Sequence, residues 1–158
     1  QTAADYGKQF DTISVCFSKG LGCPVGSVLL GSEELINKAL RVRKVLGGGM
    51  RQAGYLAAAA LYALDNHLTD LKEDHRKAKE IGEELKKCSF VEKVVPVHSN
   101  IVIFYLSSDW SSDRFIHQMA TKNIRLLTLG NGNMRLVTHR DYSDKQHHYF
   151  LNVLQEFH

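Results

Sequence analysis

Two short apolar runs on either side of a glycine-rich turn constrain this chain more than any other feature. Ile13, Val15 and Phe17 alternate with Ser14, Cys16 and Ser18, and a second run, Pro24-Val25-Gly26-Ser27-Val28-Leu29-Leu30, follows after Lys19-Gly20-Leu21-Gly22-Cys23. Alternation of this kind predicts strands, and the glycines let backbone and a bulky partner crowd whatever side chain sits between them. Lys19 arrives at the end of the first strand and enters the turn, where a Schiff-base lysine would be presented. Taken alone, the run also fits a solvated surface lysine.

The same glycines do not describe a nucleotide site. Gly20-x-Gly22-x-x-x-Gly26 misses the dinucleotide spacing, strand rather than helix follows it, and no glycine-lysine-serine/threonine ending of a P-loop is present. The net charge of +3 in 158 residues is small, and lysine and arginine alternate with acids along the central helices, which argues against a nucleic-acid partner. Cys16, Cys23 and Cys88 form no C-x-x-C pair. An odd count of thiols suits a reducing compartment better than a disulfide framework, which leaves the cytosol or an organelle matrix, and a cytoplasmic location is expected. The apolar run from Ala57 to Leu64 is too short to span a bilayer, and no signal-peptide pattern is present.

Beyond the second strand, expected over Val25 to Leu30 and broken by Gly31, Ser32 can cap a helix that runs to about Val45, with Glu33 and Glu34 at its positive end. Gly47-Gly48-Gly49 interrupts, and a second helix is predicted from near Arg51 to around His67, its Ala57 to Ala60 run allowing close packing. From Leu68 to Lys87 a long helix is predicted with Leu71, His75, Ala78, Gly82 and Leu85 on one face. Glu73 with Lys77, and Glu83 with Lys87, are spaced as ion pairs on the wet side. An α+β arrangement follows: strands at Val91 to Val97, Ile101 to Leu106, Ile124 to Thr128 and Met134 to Thr138, and a helix near Ser112 to Lys122. The Gly130-Asn131-Gly132-Asn133 loop lies between the later strands, and a closing helix is boxed by Ser143 and Gln146. The residues before the first strand lack capping character.

A second cluster, Arg41-Val42-Arg43-Lys44-Val45-Leu46-Gly47-Gly48-Gly49-Met50-Arg51-Gln52, sets four cations around three glycines. If a helix starts near Arg51, free amides and the dipole join those cations, and the combination suits phosphate. A solvated basic turn is the competing reading. Three consecutive glycines weigh against it, because each costs about 0.5–1 kcal/mol relative to alanine in a regular element.

Three motifs in order now carry a resemblance: Ser18-Lys19-Gly20-Leu21-Gly22-x-Pro24-Val25-Gly26-Ser27, Arg43-Lys44-x-x-Gly47-Gly48-Gly49-Met50-Arg51-Gln52-x-Gly54, and Arg135-Leu136-Val137-Thr138-His139. Together they resemble the low-specificity threonine aldolases. The resemblance implies an α/β chain: the C-terminal part of the large domain of a type I, aminotransferase-like fold over residues 1–67, then a small C-terminal α+β domain over 68–158.

What the resemblance implies for function is a pyridoxal 5'-phosphate-dependent aldehyde-lyase. It would cleave L-threonine or L-allo-threonine by a retro-aldol reaction to glycine and acetaldehyde. Lys19 would carry the cofactor covalently, Lys44 and Arg51 would contact its phosphate or the substrate region across a subunit boundary, and Arg135 would hold the substrate carboxylate through its planar fork. Sharing sites in this way implies a homodimer or homotetramer. For Arg135 alone, a surface arginine on an edge strand is the competing reading. No metal is implied, since His67 and His75 stand about two turns apart. Nor does any of the eight histidines, including His139, His147 and His148, stand out as a general base.

The family carries its ring-stacking residue and its pyridine-binding aspartate upstream of the lysine, and only eighteen residues precede Lys19 here. Neither Asp5 nor Asp11 has the family's aspartate-glycine-alanine-arginine setting, so the chain is expected to be the C-terminal portion of a larger enzyme. Two other readings stay open: another type I enzyme, a β-eliminating lyase or an aminotransferase, and a non-catalytic module for a phosphorylated ligand or partner.

Overall fold

A computed structural model describes residues 2–130 and 133–157, so Asn131 and Gly132 of the later loop lie outside the described residues. The chain divides into two compact units, Gln1–Leu68 and Thr69–His158.

Unit 1 opens with a short helix, α1 (Ala3–Gly7), where the sequence led us to expect no capping. Thr2 and Asp5 form a capping box: the Asp5 amide donates to Thr2 Oγ1 at 3.3 Å and the Thr2 amide donates to Asp5 Oδ2 at 2.8 Å. These bonds, the backbone one first, hold the Asp5 carboxyl below the usual carboxylate range. Strands β1 (Thr12–Cys16) and β2 (Ser27–Gly31) pair antiparallel, Thr12 opposite Gly31 and Cys16 opposite Ser27. The second strand starts two residues later than expected, because Gly26 turns the chain at φ +108°. Gly31, expected to break the strand, instead completes it. A Cβ there would sit 3.1 Å from Thr12 Cγ2 and 3.2 Å from the Asp11 carbonyl, so close strand approach accounts for the glycine.

Helix α2 (Glu33–Val45) is capped by Ser32, whose hydroxyl accepts from the Leu35 amide at 3.3 Å, and Arg43 and Lys44 occupy its last turn. Helix α3 covers Gly54–Asn66 with His67 as its C-cap. Arg51 therefore does not stand at a helix N-terminus. It precedes the helix by a turn in which Gln52 takes φ +52°, a left-handed conformation that a helix cannot continue through. Among the described residues of unit 1, the buried hydrophobic side chains are Phe17, Leu21, Cys23 and Ala63. Leu40, Val42, Val45 and Leu46 of the α2 segment, and Tyr55, Leu61, Tyr62 and Leu64 of α3, are exposed.

Unit 2 begins with α4 (Asp70–Leu85), which buries Asp74, Lys77, Ala78, Ile81, Gly82, Glu84 and Leu85. His75, expected on the buried face, is exposed; Asp74 and Lys77 take that face. The expected i,i+4 ion pairs are also replaced. Glu73 bonds Arg76 at 2.8 Å, Glu83 bonds Lys86 at 2.7 Å, and Lys77 turns inward to Asp144 at 2.9 Å. The Lys77 ammonium also donates to the Tyr142 carbonyl at 2.7 Å, and a largely buried charge must keep such partners, so tertiary geometry overrides the helical spacing.

Strands β3 (Val91–Val94), β4 (Ile101–Leu106), β5 (Thr128–Gly130) and β6 (Asn133–Val137) form an antiparallel sheet in the order β3-β4-β6-β5. β3 stops short of the expected Val97 because Pro96 has no amide to donate. The strand expected from Ile124 begins only at Thr128: the Ile124 amide is spent on the Met119 carbonyl, at 2.9 Å, closing helix α5 (Ser112–Thr121). Helix α6 (Asp144–Gln155) starts on the Ser143–Gln146 capping box. Alternation along β4 sends Val102, Phe104 and Leu106 into a core with Ile81, Leu85, Phe90, Phe115, Met119, Met134, Phe150, Val153 and Leu154. Among the described residues no helix is long and apolar enough to cross a membrane.

Candidate functional site

The turn that carries Lys19 is held at both ends. The Phe17 amide donates to the Gly26 carbonyl at 3.0 Å, the Cys23 amide donates to the Phe17 carbonyl at 3.1 Å, and the Gly22 amide donates to the Lys19 carbonyl at 2.9 Å, closing a four-residue turn. Gly22 and Gly26 both take positive φ, 71° and 108°. Phe17, Leu21 and Cys23 point inward, so Lys19 is left exposed at the rim.

Two further contacts pin the turn to α3. Cys23 Sγ donates to the Ala59 carbonyl at 3.7 Å, and His67 Nδ1 lies 2.7 Å from the Leu21 carbonyl. A carbonyl only accepts, so His67 carries its proton on Nδ1. Tyr62 packs edge-on against the same ring at 5.3 Å between centroids. In the sequence His67 figures only as an improbable metal ligand; its positioning role depends on a contact across 46 positions of chain. Among the described residues no group of three His, Cys, Asp or Glu side chains could hold a metal.

Nearer the strand, Cys16 Sγ lies 3.5 Å from Ser18 Oγ, and this bond, with a smaller contribution from the Lys19 charge, lowers the thiol from its ordinary value. Cys88 is the opposite case: burial pushes its thiol up to about 11. At pH 8, a disulfide reagent such as Ellman's should therefore modify Cys16 at least roughly tenfold faster than Cys88, since the thiolate is the reacting form. Mass-spectrometric mapping after partial labelling checks this; equal labelling would contradict it.

The basic cluster spans the end of α2 and the loop to α3. The Leu46, Gly47 and Gly48 amides turn back onto the Val42, Lys44 and Arg43 carbonyls, with Gly47 at φ +87°. The Lys44 side chain folds along Gly49, and a Cβ there would meet its Nζ at 2.7 Å. Arg135 stands on β6 opposite Ile103 of β4, exposed between Met134 and Leu136, which face the core. Among the described residues, Lys19, Lys44, Arg51 and Arg135 make no ion pair, so each retains a free charge. Lys19, Lys44 and Arg51 belong to unit 1 and Arg135 to unit 2.

Unit 2 also holds a cavity of about 490 Å³, with Arg125, Arg135, Leu136, Tyr142, Gln146 and Tyr149 among its lining and no carboxylate. Arg125 was not singled out from the sequence, where it lies within the expected Ile124 to Thr128 strand. Tyr142 is buried enough that its hydroxyl is pushed up to about 12.

Known proteins resemble this chain in sequence, and solved structures resemble it in fold. The chain is 39% identical over 152 residues to low-specificity L-threonine aldolase 1 of Arabidopsis thaliana, covering 94% of this chain and 42% of the relative. It is 40% identical over 136 residues to the low-specificity L-threonine aldolase of Escherichia coli K12, covering 86% of this chain and 39% of that one. The chain thus spans about two fifths of the length of the curated relatives it matches. A crystal structure of a Listeria monocytogenes protein assigned as an L-allo-threonine aldolase superposes over 100% of this chain and 47% of its own, with a TM-score of 0.81 at 20% identity. The fold is therefore the type I, aminotransferase-like α/β fold, which solved aminotransferases also show. The model of the beta-eliminating lyase family matches residues 1–109 of the 158, and with that match the chain belongs to the beta-eliminating lyase family.

Proposed function

We propose that this chain serves pyridoxal 5'-phosphate-dependent retro-aldol cleavage of L-threonine and L-allo-threonine to glycine and acetaldehyde. The observation that carries the reading is the Lys19 turn: an exposed, unpaired primary amine on a rim fixed by three backbone hydrogen bonds. The threonine aldolase relatives support the same reaction.

The residues present suit the cofactor. A primary amine condenses with an aldehyde, and Lys19 stands exposed at the rim of its turn, where such a partner can reach it. Lys44 and Arg51, without carboxylate partners, would hold the phosphate. When bound, pyridoxal phosphate supplies the electron sink for the pair released as the Cα–Cβ bond breaks. Arg135 would grip the substrate carboxylate through two parallel N–H bonds and so set which Cα bond is aligned to break.

In this reading unit 1 is part of the cofactor-binding domain and unit 2 the smaller domain. The protein works in the cytoplasm as a homodimer or homotetramer, with Lys44 and Arg51 serving a neighbour's site. The exposed apolar side chains of α2 and α3, Leu46, Tyr55 and Leu61 among them, are suited to burial against further protein, a second copy included. Product analysis with L-threonine tests the reaction: glycine and acetaldehyde are expected in equal amounts, and formation of a keto acid with ammonia would replace this reading by β-elimination.

A further inference from the structure

Arg135 sits on a strand supported on one side only. β4 pairs with β6 along Ile101 to Tyr105, but on the other edge β5 pairs with Asn133 and Met134 alone, so among the described residues no strand lies beside Arg135, Leu136 and Val137 there. A guanidinium that must be held to within a fraction of an ångström needs more than a strand paired along one edge. Something else must fix the direction in which β6 leaves the sheet.

The residue that does so is Thr138, just past the strand and 2% exposed. Its amide donates to the Asn100 carbonyl at 3.0 Å, and its carbonyl accepts from Asn100 Nδ2 at 2.8 Å. Its hydroxyl donates to the main-chain carbonyl of Asp74 in α4 at 2.6 Å. Thr138 is thus clamped to the lead-in of β4 by its backbone and to α4 by its side chain. The segment that follows continues the attachment. Arg140 pairs with Asp70 at 2.9 Å, and Lys77 Nζ donates to the Tyr142 carbonyl at 2.7 Å. Asp70, Asp74 and Lys77 fall at i, i+4 and i+7, one stripe of α4, so successive turns of that helix hold residues 138–142 in place.

We infer that Thr138 is a positioning residue for the substrate carboxylate: its hydroxyl, bonded to α4, fixes the end of β6 and through it the aim of Arg135. The inference rests on the reading of Arg135 as the carboxylate grip. Valine matches threonine in shape and removes only the hydroxyl, which leaves the Asp74 carbonyl without that donor.

The test uses the complete protein loaded with pyridoxal phosphate. Thr138→Val is expected to raise KM for L-threonine roughly tenfold with kcat within about twofold, the scale of one lost buried hydrogen bond. Amide exchange at 135–138 should quicken in the same variant, with or without cofactor. Thr138→Ser, which keeps the hydroxyl, should restore both. Combined with Arg135→Ala, Thr138→Val should add nothing further to KM, because the two act through one contact. An unchanged KM in Thr138→Val while Arg135→Ala raises it, full additivity of the two, or failure of the serine variant to restore would each overturn the inference and leave the carboxylate reading standing. An Arg135→Ala variant with unaltered KM would instead remove the carboxylate reading itself, and the inference with it.

Discussion

Lys19→Ala should abolish both the cofactor's Lys19-dependent visible absorbance and threonine cleavage, with turnover falling by roughly 10³-fold or more, the order of loss seen when an enzyme's nucleophile is removed. That corresponds to about 4 kcal/mol of lost transition-state stabilisation. The rest of the turn should survive, since its hydrogen bonds run between Phe17, Gly26, Cys23 and Gly22 backbones and the Lys19 carbonyl, none of which the substitution removes. An unchanged far-ultraviolet dichroism spectrum alongside the lost activity would separate chemistry from folding. Borohydride reduction followed by peptide mapping gives an independent readout: the cofactor should be found on Lys19 in the wild type and on no peptide in the variant. A variant that still reduces to a stable adduct elsewhere and still cleaves threonine would assign the anchor to a different lysine.

Phe90→Ala should cost about 3–5 kcal/mol of unit 2 stability, measured by urea unfolding of the full chain followed through Trp110 fluorescence. Phe90 is 0% exposed and meets four aromatic rings, with centroids at 6.5 Å to Phe104, 5.5 Å to Trp110, 4.8 Å to Phe115 and 5.3 Å to Phe157. It lies just after Cys88, at the junction of α4 and β3, so that its removal opens a cavity where helix, sheet and the C-terminal segment converge. A domain of this size has only about 5–15 kcal/mol to lose, which makes the effect a large fraction of the total. Phe90→Leu keeps most of the volume and should cost less than about 1.5 kcal/mol. A loss below about 1 kcal/mol for the alanine variant would mean that the site collapses around the cavity or that the fluorescence change reports on another part of the chain.

The elements read correctly from the sequence are those set by short-range chemistry. Ser32 before Glu33-Glu34 and Ser143 before Gln146 each found the backbone amides that their spacing predicts. Alternation placed Val102, Phe104 and Leu106 on the core side of β4. The three motifs that pointed to a threonine aldolase are likewise local runs, and the relatives of known sequence bear out that likeness. The misreadings have another source. Ile124 looked like strand because its run alternates, yet its amide closes α5 on Met119; His75 looked buried by spacing, yet Asp74 and Lys77 are the residues taken inside. The Thr2–Asp5 capping box is of the same local kind, set by a spacing of three residues.

By itself the sequence determined where most elements run and which motifs carry the likeness to the threonine aldolases, because strand alternation, helix caps and glycine turns are decided within a few residues. The tertiary structure decided which polar groups pair across long stretches of chain. His67 reaches Leu21 across 46 positions, Lys77 reaches Tyr142 across 65, and Thr138 reaches Asp74 across 64. Such bonds exist only after burial has removed competing water, and a polar group taken inside must then find whatever partner the packing brings to it.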